Sequence, residues 1–409
     1  MLNLLTELTK QDTPAEVDLR SSLGRRPKVV IGHPYLGRGG SEARVMWLLQ
    51  ALRQDCDLTV VTTGGWNLAE LNSFYGTSIR ESEVQLRIAP VPRPFRSRSA
   101  AALRGSCYQR FARKVAAGCD IRISAYNPTD WGLPAIHFIA DFSWNQYVRE
   151  LFDPPTPGFI YRPSLLRKAY LQLAAFYASP SGRNVLRDDI LVANSAWSAQ
   201  IMRQHLGVEC AAIVYPSVWS EFPSVPFDEK SQAFVMIGRI APEKHIEQAI
   251  AVLDAVRRRG HALQLHLCGA IPDNAYGRTI AKLCAQHSSW ITIEGEVRGE
   301  RKARLLAQCR YGIHFRAAEP FGIAVAEMVK AGAICFAPNN GGQAEILDHP
   351  GLLFAGTEDA VEKIHAVLSS PALQAAATYH LQQQSHRFSS ETFMHEARAC
   401  VAAAIRTEN

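Results

Sequence analysis

Pro27-Lys28-Val29-Val30-Ile31-Gly32, Gly37-Arg38-Gly39-Gly40-Ser41-Glu42 and Asp57-Leu58-Thr59-Val60-Val61-Thr62-Thr63 follow one another in the first part of the chain. The first is a short apolar strand and the last a β-branched one. The middle segment is a glycine-rich turn. Between turn and second strand, residues 43–52 place Val45, Leu48, Leu49 and Leu52 at helical spacing. Strand, turn, helix and strand begin a parallel, doubly wound sheet. Residues 86–89, 120–124, 136–139 and 190–193 read as further strands of the same half.

Pro216, Pro223 and Pro226 then punctuate a stretch with no helical or strand period. The alternation restarts beyond it. Ala233-Phe234-Val235-Met236-Ile237-Gly238 is a strand, 245–258 a helix, 263–269 a strand, 279–286 a helix and 290–295 a strand. Helix 300–308, strand 311–315, helix 322–331 and strand 334–337 continue it. The last helix spans 390–405, capped by Ser389 or Ser390. The expected fold is α/β, with two Rossmann-like, doubly wound halves facing a cleft. Its parts are a leader (1–26), an N-terminal domain (27–215), a linker (216–231), a C-terminal domain (232–388) and a terminal helix (389–409). Ligands of such sheets bind outside the carboxyl ends of the strands.

With 409 residues, 47% hydrophobic and 20% charged, the composition excludes a disordered tail, a collagen-like fibre and a coiled coil. The nine cysteines are too dispersed for a zinc knuckle, a thioredoxin motif or a disulfide framework, which points to a reduced, cytoplasmic compartment. Glu7, Lys10, Asp12, Glu16 and Asp18 exclude a signal-peptide core from the leader. The apolar stretch 322–338 contains Glu327 and Lys330 and does not read as a membrane span. Residues 1–215 hold 25 Lys and Arg against 18 Asp and Glu, whereas 216–409 hold 19 against 20. The basic excess lies in the first half, so the halves are expected to meet different partners.

Residues 319–327 read Glu-Pro-Phe-Gly-Ile-Ala-Val-Ala-Glu. Pro320 and Gly322 signal a helix start, which leaves Glu319 in the loop ahead and Glu327 about 7–8 Å down the axis. The free N–H groups of Gly322, Ile323 and Ala324 suit a diphosphate. Carboxylates on either side of it suit the hydroxyls of a sugar and a ribose. Gly238-Arg239, with Lys244 five residues on, follows the first strand of this half, so both cations can reach a diphosphate. Asn340-Gly341-Gly342-Gln343-Ala344-Glu345 follows another strand, its glycines allowing a close backbone approach or a tight turn.

In order and separation, Gly238-Arg239…Lys244, Glu319-Pro320-Phe321-Gly322…Glu327 and Gly341-Gly342-x-x-Glu345 resemble the group-one, or family-four, retaining glycosyltransferases of the GT-B fold. The loop 37–42, Asn194-Ser195 and Val214-Tyr215-Pro216-Ser217-Val218 look like that family's N-terminal and interdomain signatures. The likeness covers about 27–405. Trp219 stands where relatives often carry an acid or asparagine, and the leader has no counterpart.

The resemblance implies transfer of a sugar from a nucleotide diphosphate sugar to a glycan, lipid-linked or polysaccharide acceptor. It implies that Arg239 and Lys244 neutralise the leaving diphosphate. Glu319 binds sugar hydroxyls, with backbone around Gly238, Phe321, Gly322 and Ile323 assisting. Glu327 binds the ribose, and Gly39-Gly40 approaches the diphosphate. No metal or other cofactor is expected. A nucleotide-sugar epimerase or hydrolase, and a non-catalytic nucleotide- or partner-binding subunit, are the alternatives on the same fold. The family often has a histidine near the sugar, for which His137 is the candidate, with Asp141 sharing or replacing its role. Asp141, Gly341, Gly342 and Glu345 are candidates for an acceptor or further site.

Asp55-Cys56-Asp57 leads into a strand and reads as a turn, not a metal site. Arg93, Arg96, Arg98, Arg104, Arg110, Arg113 and Lys114 form a run without acids, interleaved with Leu103, Tyr108 and Phe111. The run suits an anionic membrane surface or an acceptor's diphosphate. No nucleic-acid-binding motif accompanies it. The expectation is a cytoplasmic protein, peripheral at the inner membrane face. Residues 144–170, with Pro154, Pro155, Pro157 and Pro163, read as an inserted lid or acceptor loop.

Overall fold

The computed structural model describes Leu19 and residues 24–97, 100–152, 164–178 and 180–408. The chain divides into two units, Met1–Ser217 with Ser390–Asn409, and Val218–Ser389.

The first unit holds β1 (Lys28–Gly32), β2 (Asp57–Thr62), β3 (Val84–Ile88), β4 (Ile121–Ser124), β5 (Ile136–Phe138), β6 (Ile190–Ala193) and β7 (Ala212–Ile213). The sheet order is β3-β2-β1-β4-β5-β6-β7, every pair parallel. The second unit holds β8 (Ser231–Ile237), β9 (Gln264–Cys268), β10 (Ile291–Gly295), β11 (Cys309–Ile313), β12 (Ile334–Pro338) and β13 (Leu353–Phe354). Its order is β10-β9-β8-β11-β12-β13, again all parallel. Each sheet reverses its direction of growth once, between β1 and β4 and between β8 and β11. Loops after those strands therefore flank the crevice where doubly wound sheets bind ligands. Four of the five residues of β1, and all of β4, β5 and β12, are buried. Burial on both faces makes β1 and β12 read as near-continuous apolar runs, whereas β4 and β5 carry the buried polar residues Arg122, Ser124 and His137.

The expected linker does not stand apart. Val218 N donates to Phe388 O at 2.9 Å, within the second unit, and β8 begins at Ser231. Nor is the terminal helix separate, because Ser390–Glu408 returns to the first unit. There Arg398 donates to Ala51 O at 2.8 Å and to Asp55 Oδ2 at 2.7 Å. Asp57 accepts from Arg26 at 2.9 Å, so each acid of the Asp55-Cys56-Asp57 turn faces an arginine. In the second unit the buried Lys230 donates to Ala307 O and, at 2.8 Å, to Ala331 O. It thereby closes the C-terminal ends of helices Gly299–Gln308 and Ile323–Lys330.

Candidate active site

In the second unit the loops after β8, β11 and β12 converge on Glu319. Lys244 ends the 3-10 turn Pro242–Lys244 after β8, and its Nζ lies 2.7 Å from Glu319 Oε2. His314 immediately follows β11, with Nε2 3.6 Å from the same oxygen, and Arg316 Nε lies 3.7 Å from it. Only the lysine is within firm hydrogen-bond distance. Burial on its own would raise the Glu319 pKa, but His314, Lys244 and Arg316 outweigh it and hold the carboxyl well below its ordinary 4.5. Burial lowers the His314 pKa, which favours the neutral ring. Glu319 is thus an ionised, acceptor-only group suited to receiving hydroxyl hydrogen bonds rather than donating a proton. All three of these contacts fall on Oε2.

The backbone around Glu319 is fixed by the loop after β12. Ala318 N donates to Asn340 O, and Gly342 N to Glu319 O, both at 2.8 Å. A Cβ on Gly342 would lie 2.4 Å from Pro320 O and 2.7 Å from Phe321 Cα. In this structure the glycine pair lets two loops lie against each other. Buried Gln343 ties the junction, donating to Asn340 O at 2.6 Å, and Glu345 lies in the short helix Gln343–Leu347. Gly322 has φ 102° and precedes the helix Ile323–Lys330, a conformation that favours glycine. Phe321 is buried against Phe388, and Ile323 is half-buried.

Glu327 is buried on that helix. Its Oε1 accepts from Lys302 at 2.7 Å and from Ser220 at 3.5 Å. Arg239 is the open cation. Its side chain is 78% exposed and reaches Glu243 at 3.1 Å. His314, Arg316 and Lys302 were not candidates from sequence, since none belongs to a quoted motif, and Gln343 lay inside the Gly341-Gly342 motif without being singled out.

In the first unit Gly39 precedes the helix Gly40–Leu52. Buried Tyr75 pins this loop, its hydroxyl accepting from Gly39 N at 2.8 Å and facing Gly37 O at 3.0 Å. His137 does not stand open to a sugar. Its side chain is fully buried, with Nε2 2.8 Å from Asp189 Oδ2 and Nδ1 accepting from Thr129 N at 3.5 Å. Asp141, beyond the end of β5, holds the more open position. Its Oδ1 accepts from Asn127 Nδ2 at 2.8 Å and Ser143 N at 2.9 Å, and Tyr126 OH approaches Oδ2 at 3.4 Å. Arg44 is buried beneath, donating to Ala125 O and Phe138 O, and burial lowers its pKa to about 10 despite Asp141 nearby. His33 lies 5.3 Å from the Tyr126 ring, and burial pushes its pKa down to about 4.

The basic run is helical over Ala101–Ala116, but its aromatic residues point inward. Tyr108 joins a buried cluster with Val30, Ala112, Ala116 and Trp131, and Phe111 packs against it. They are not membrane anchors. Arg113 is bound to Asp130 and to Ala178 O. Arg98 and the prolines 154, 155, 157 and 163 of the expected lid lie outside the described residues, as do residues 1–18 and 20–23 of the leader. Among the described residues, no helix is long and apolar enough to cross a membrane.

Two doubly wound, all-parallel units make up the GT-B fold. Residues 217–384 match the model of the glycosyl transferases group 1. The chain is 26% identical to the GDP-Man:Man(3)GlcNAc(2)-PP-Dol alpha-1,2-mannosyltransferase of Mus musculus, over 77% of this chain and 73% of that protein. The Homo sapiens protein of the same name is 25% identical, over 83% and 79%. Among solved structures, WaaG, a glycosyltransferase involved in lipopolysaccharide biosynthesis, superposes with a TM-score of 0.63 at 16% identity, over 91% of this chain and 99% of that one. Sucrose-phosphate synthase from Thermosynechococcus elongatus gives 0.66 at 14% identity, over 90% and 96%. The chain is a nucleotide-sugar-dependent glycosyltransferase.

Proposed function

We propose that this enzyme transfers a sugar from a nucleotide diphosphate sugar to a glycan or lipid-linked acceptor, with retention of anomeric configuration. The observation that carries the donor site is the ionised Glu319 held by Lys244 at the β8/β11 switch point. A diphosphate leaving group gains charge as the glycosidic bond breaks, and fixed cations stabilise that charge without reorganising. Arg239 and Lys244 supply it, together with the N–H groups at the start of helix Ile323–Lys330. Glu319 receives the donor sugar's hydroxyls, and Glu327, steadied by Lys302, receives the ribose. These groups are sufficient for a metal-independent reaction.

The mannosyltransferases to which the chain is similar make GDP-mannose the first donor to try and a diphosphate-linked lipid glycan the first acceptor. Asp141, in its setting of amide and hydroxyl groups, is the acceptor-side candidate. The test is a panel of nucleotide sugars, with nucleotide release followed with and without acceptor, and the product's anomeric configuration read by NMR. Release that requires acceptor, unaffected by chelator and giving a retained product, is expected. Release without acceptor would identify a hydrolase or an epimerase-like cleavage. An inverted product would refute the retaining assignment.

A further inference from the structure

The helix Leu165–Ala178 of the first unit buries only Ala174 and Ala178 and turns most of its large apolar residues to solvent. Ala174 and Ala178 are buried, and Arg167 and Tyr170 are half-buried. Leu165 is 87% exposed, Leu166 85%, Phe176 83% and Leu173 57%. At about 100° per residue these four and Ala169 occupy an arc of roughly 100°, opposite the arc of Arg167, Tyr170, Ala174 and Ala178. Soluble folds normally put such residues the other way round, and a continuous exposed apolar face marks an interaction surface.

The inner face is well accounted for. Tyr170 OH accepts from Ala102 N at 3.1 Å, Ser106 donates to Ala174 O at 2.6 Å, and Arg110 donates to Tyr177 O at 3.2 Å. The pairs advance together along both chains, so this helix lies parallel to the basic helix Ala101–Ala116. The Arg110 guanidinium lies 5.0 Å from the centroid of the Tyr177 ring, and Phe95 meets that ring edge-on at 6.4 Å. Phe95 belongs to the 3-10 turn Arg93–Arg96, which brings the exposed Arg93 and Arg96 to the same flank. Exposed Lys168 lies on the other flank. Neither 90–119 nor 154–187 contains an acid.

We propose that the outer face of helix Leu165–Ala178 docks on an anionic lipid leaflet. The leucines and Phe176 enter the boundary between headgroups and acyl chains, and the flanking cations meet lipid phosphates. The rim argues against a second copy as the occupant. A two-fold contact would set this face on itself, with basic flanks opposed and no acid to pair them. The proposal deepens the reading of a lipid-linked acceptor and rests on it only for its purpose. Vesicle binding is read without turnover, so its failure would leave the transfer reading standing.

The full chain is sedimented with phosphatidylcholine vesicles, with and without phosphatidylserine, at low and high salt. Binding is expected to be at least about tenfold tighter with phosphatidylserine and to weaken with salt. Combined Leu165→Gln, Leu166→Gln and Phe176→Gln should reduce binding at least about tenfold while sparing melting temperature and nucleotide affinity, because these side chains are exposed. Combined Arg93→Glu and Lys168→Glu should remove the preference for phosphatidylserine. A parent that does not sediment at low salt overturns the proposal, as does a glutamine variant that binds like the parent. A parent dimer that the glutamine variant dissolves would give the face to a second copy and overturn it too.

Discussion

The two switch points share a topology and differ in chemistry. In the second unit, the β8 and β11 loops surround one carboxylate with Lys244, Arg316 and His314, and burial does not neutralise it. In the first, the β1, β4 and β5 loops place Asp141 among Asn127, Ser143 and Tyr126, with the cation Arg44 buried beneath rather than beside it. On the proposed reading, one framework offers a site for a diphosphate that gains charge and a site for neutral hydroxyls. The difference comes from loop residues after equivalent strands, not from the sheets.

The sharpest break of this comparison is Glu319→Gln. Turnover should fall about a hundredfold or more, about 3 kcal/mol, because the interaction is made with the reacting sugar. Affinity for the free nucleotide diphosphate should hold within about twofold. Parental turnover would mean that the site is misplaced.

Acid acts on both units through buried groups. His33, lowered by burial from 6.5 to about 4, stays neutral when folded while the unfolded chain takes up a proton. Its contribution is fully present above pH 6.5 and is lost as pH falls toward 4, a loss of about 3 kcal/mol at 1.36 kcal/mol per pKa unit. Glu319 is also depressed, from 4.5, so its contribution is present above 4.5 and lost only below it. His33→Phe should therefore lessen the fall in stability between pH 6.5 and 4, without removing it, because burial also lowers the pKa of His314 in the second unit. Denaturation of parent and variant across that pH range checks the difference.

Lys244→Ala and Arg239→Ala should each weaken nucleotide diphosphate binding by about 1.5–3 kcal/mol, the scale of a charged hydrogen bond, as read by calorimetry. Unchanged affinity in both variants would remove the diphosphate from these cations. Asp141→Asn should have the smallest effect, about 1 kcal/mol in acceptor kcat/KM with donor binding unchanged, because hydrogen bonding to a neutral hydroxyl is at stake.

The alternation of apolar strands and helices made both sheets legible, since covered parallel strands leave uninterrupted runs such as Val29-Val30-Ile31 and Ala233-Phe234-Val235. The two-residue strands β7 and β13 are too short to carry a period. Glu319, Glu327, Arg239 and Lys244 could be named as candidates because they fall in short motifs. Their neighbours His314, Arg316 and Lys302 could not, because none belongs to those motifs; His314 and Arg316 sit in the loop just before Glu319, whereas Lys302 reaches Glu327 across 25 residues. His137 misled for a related reason. Ile136, His137 and Phe138 are all buried, so no alternation distinguishes an open position from a covered one. Tyr108, Ala112 and Ala116 do recur at helical spacing as a core face, and that period, rather than the mere presence of aromatics among arginines, was the informative signal.

The return of helix Ser390–Glu408 to the first unit has a consequence for synthesis. The contact of Arg398 with Ala51 spans 347 residues, and everything in Val218–Ser389 emerges between them. The second unit is continuous and can close as soon as it leaves the ribosome, as domains generally do. The first must wait with the Ala51–Asp55 end of its early helix uncovered until the last twenty residues arrive. In time, though not in sequence, the second unit is the elder.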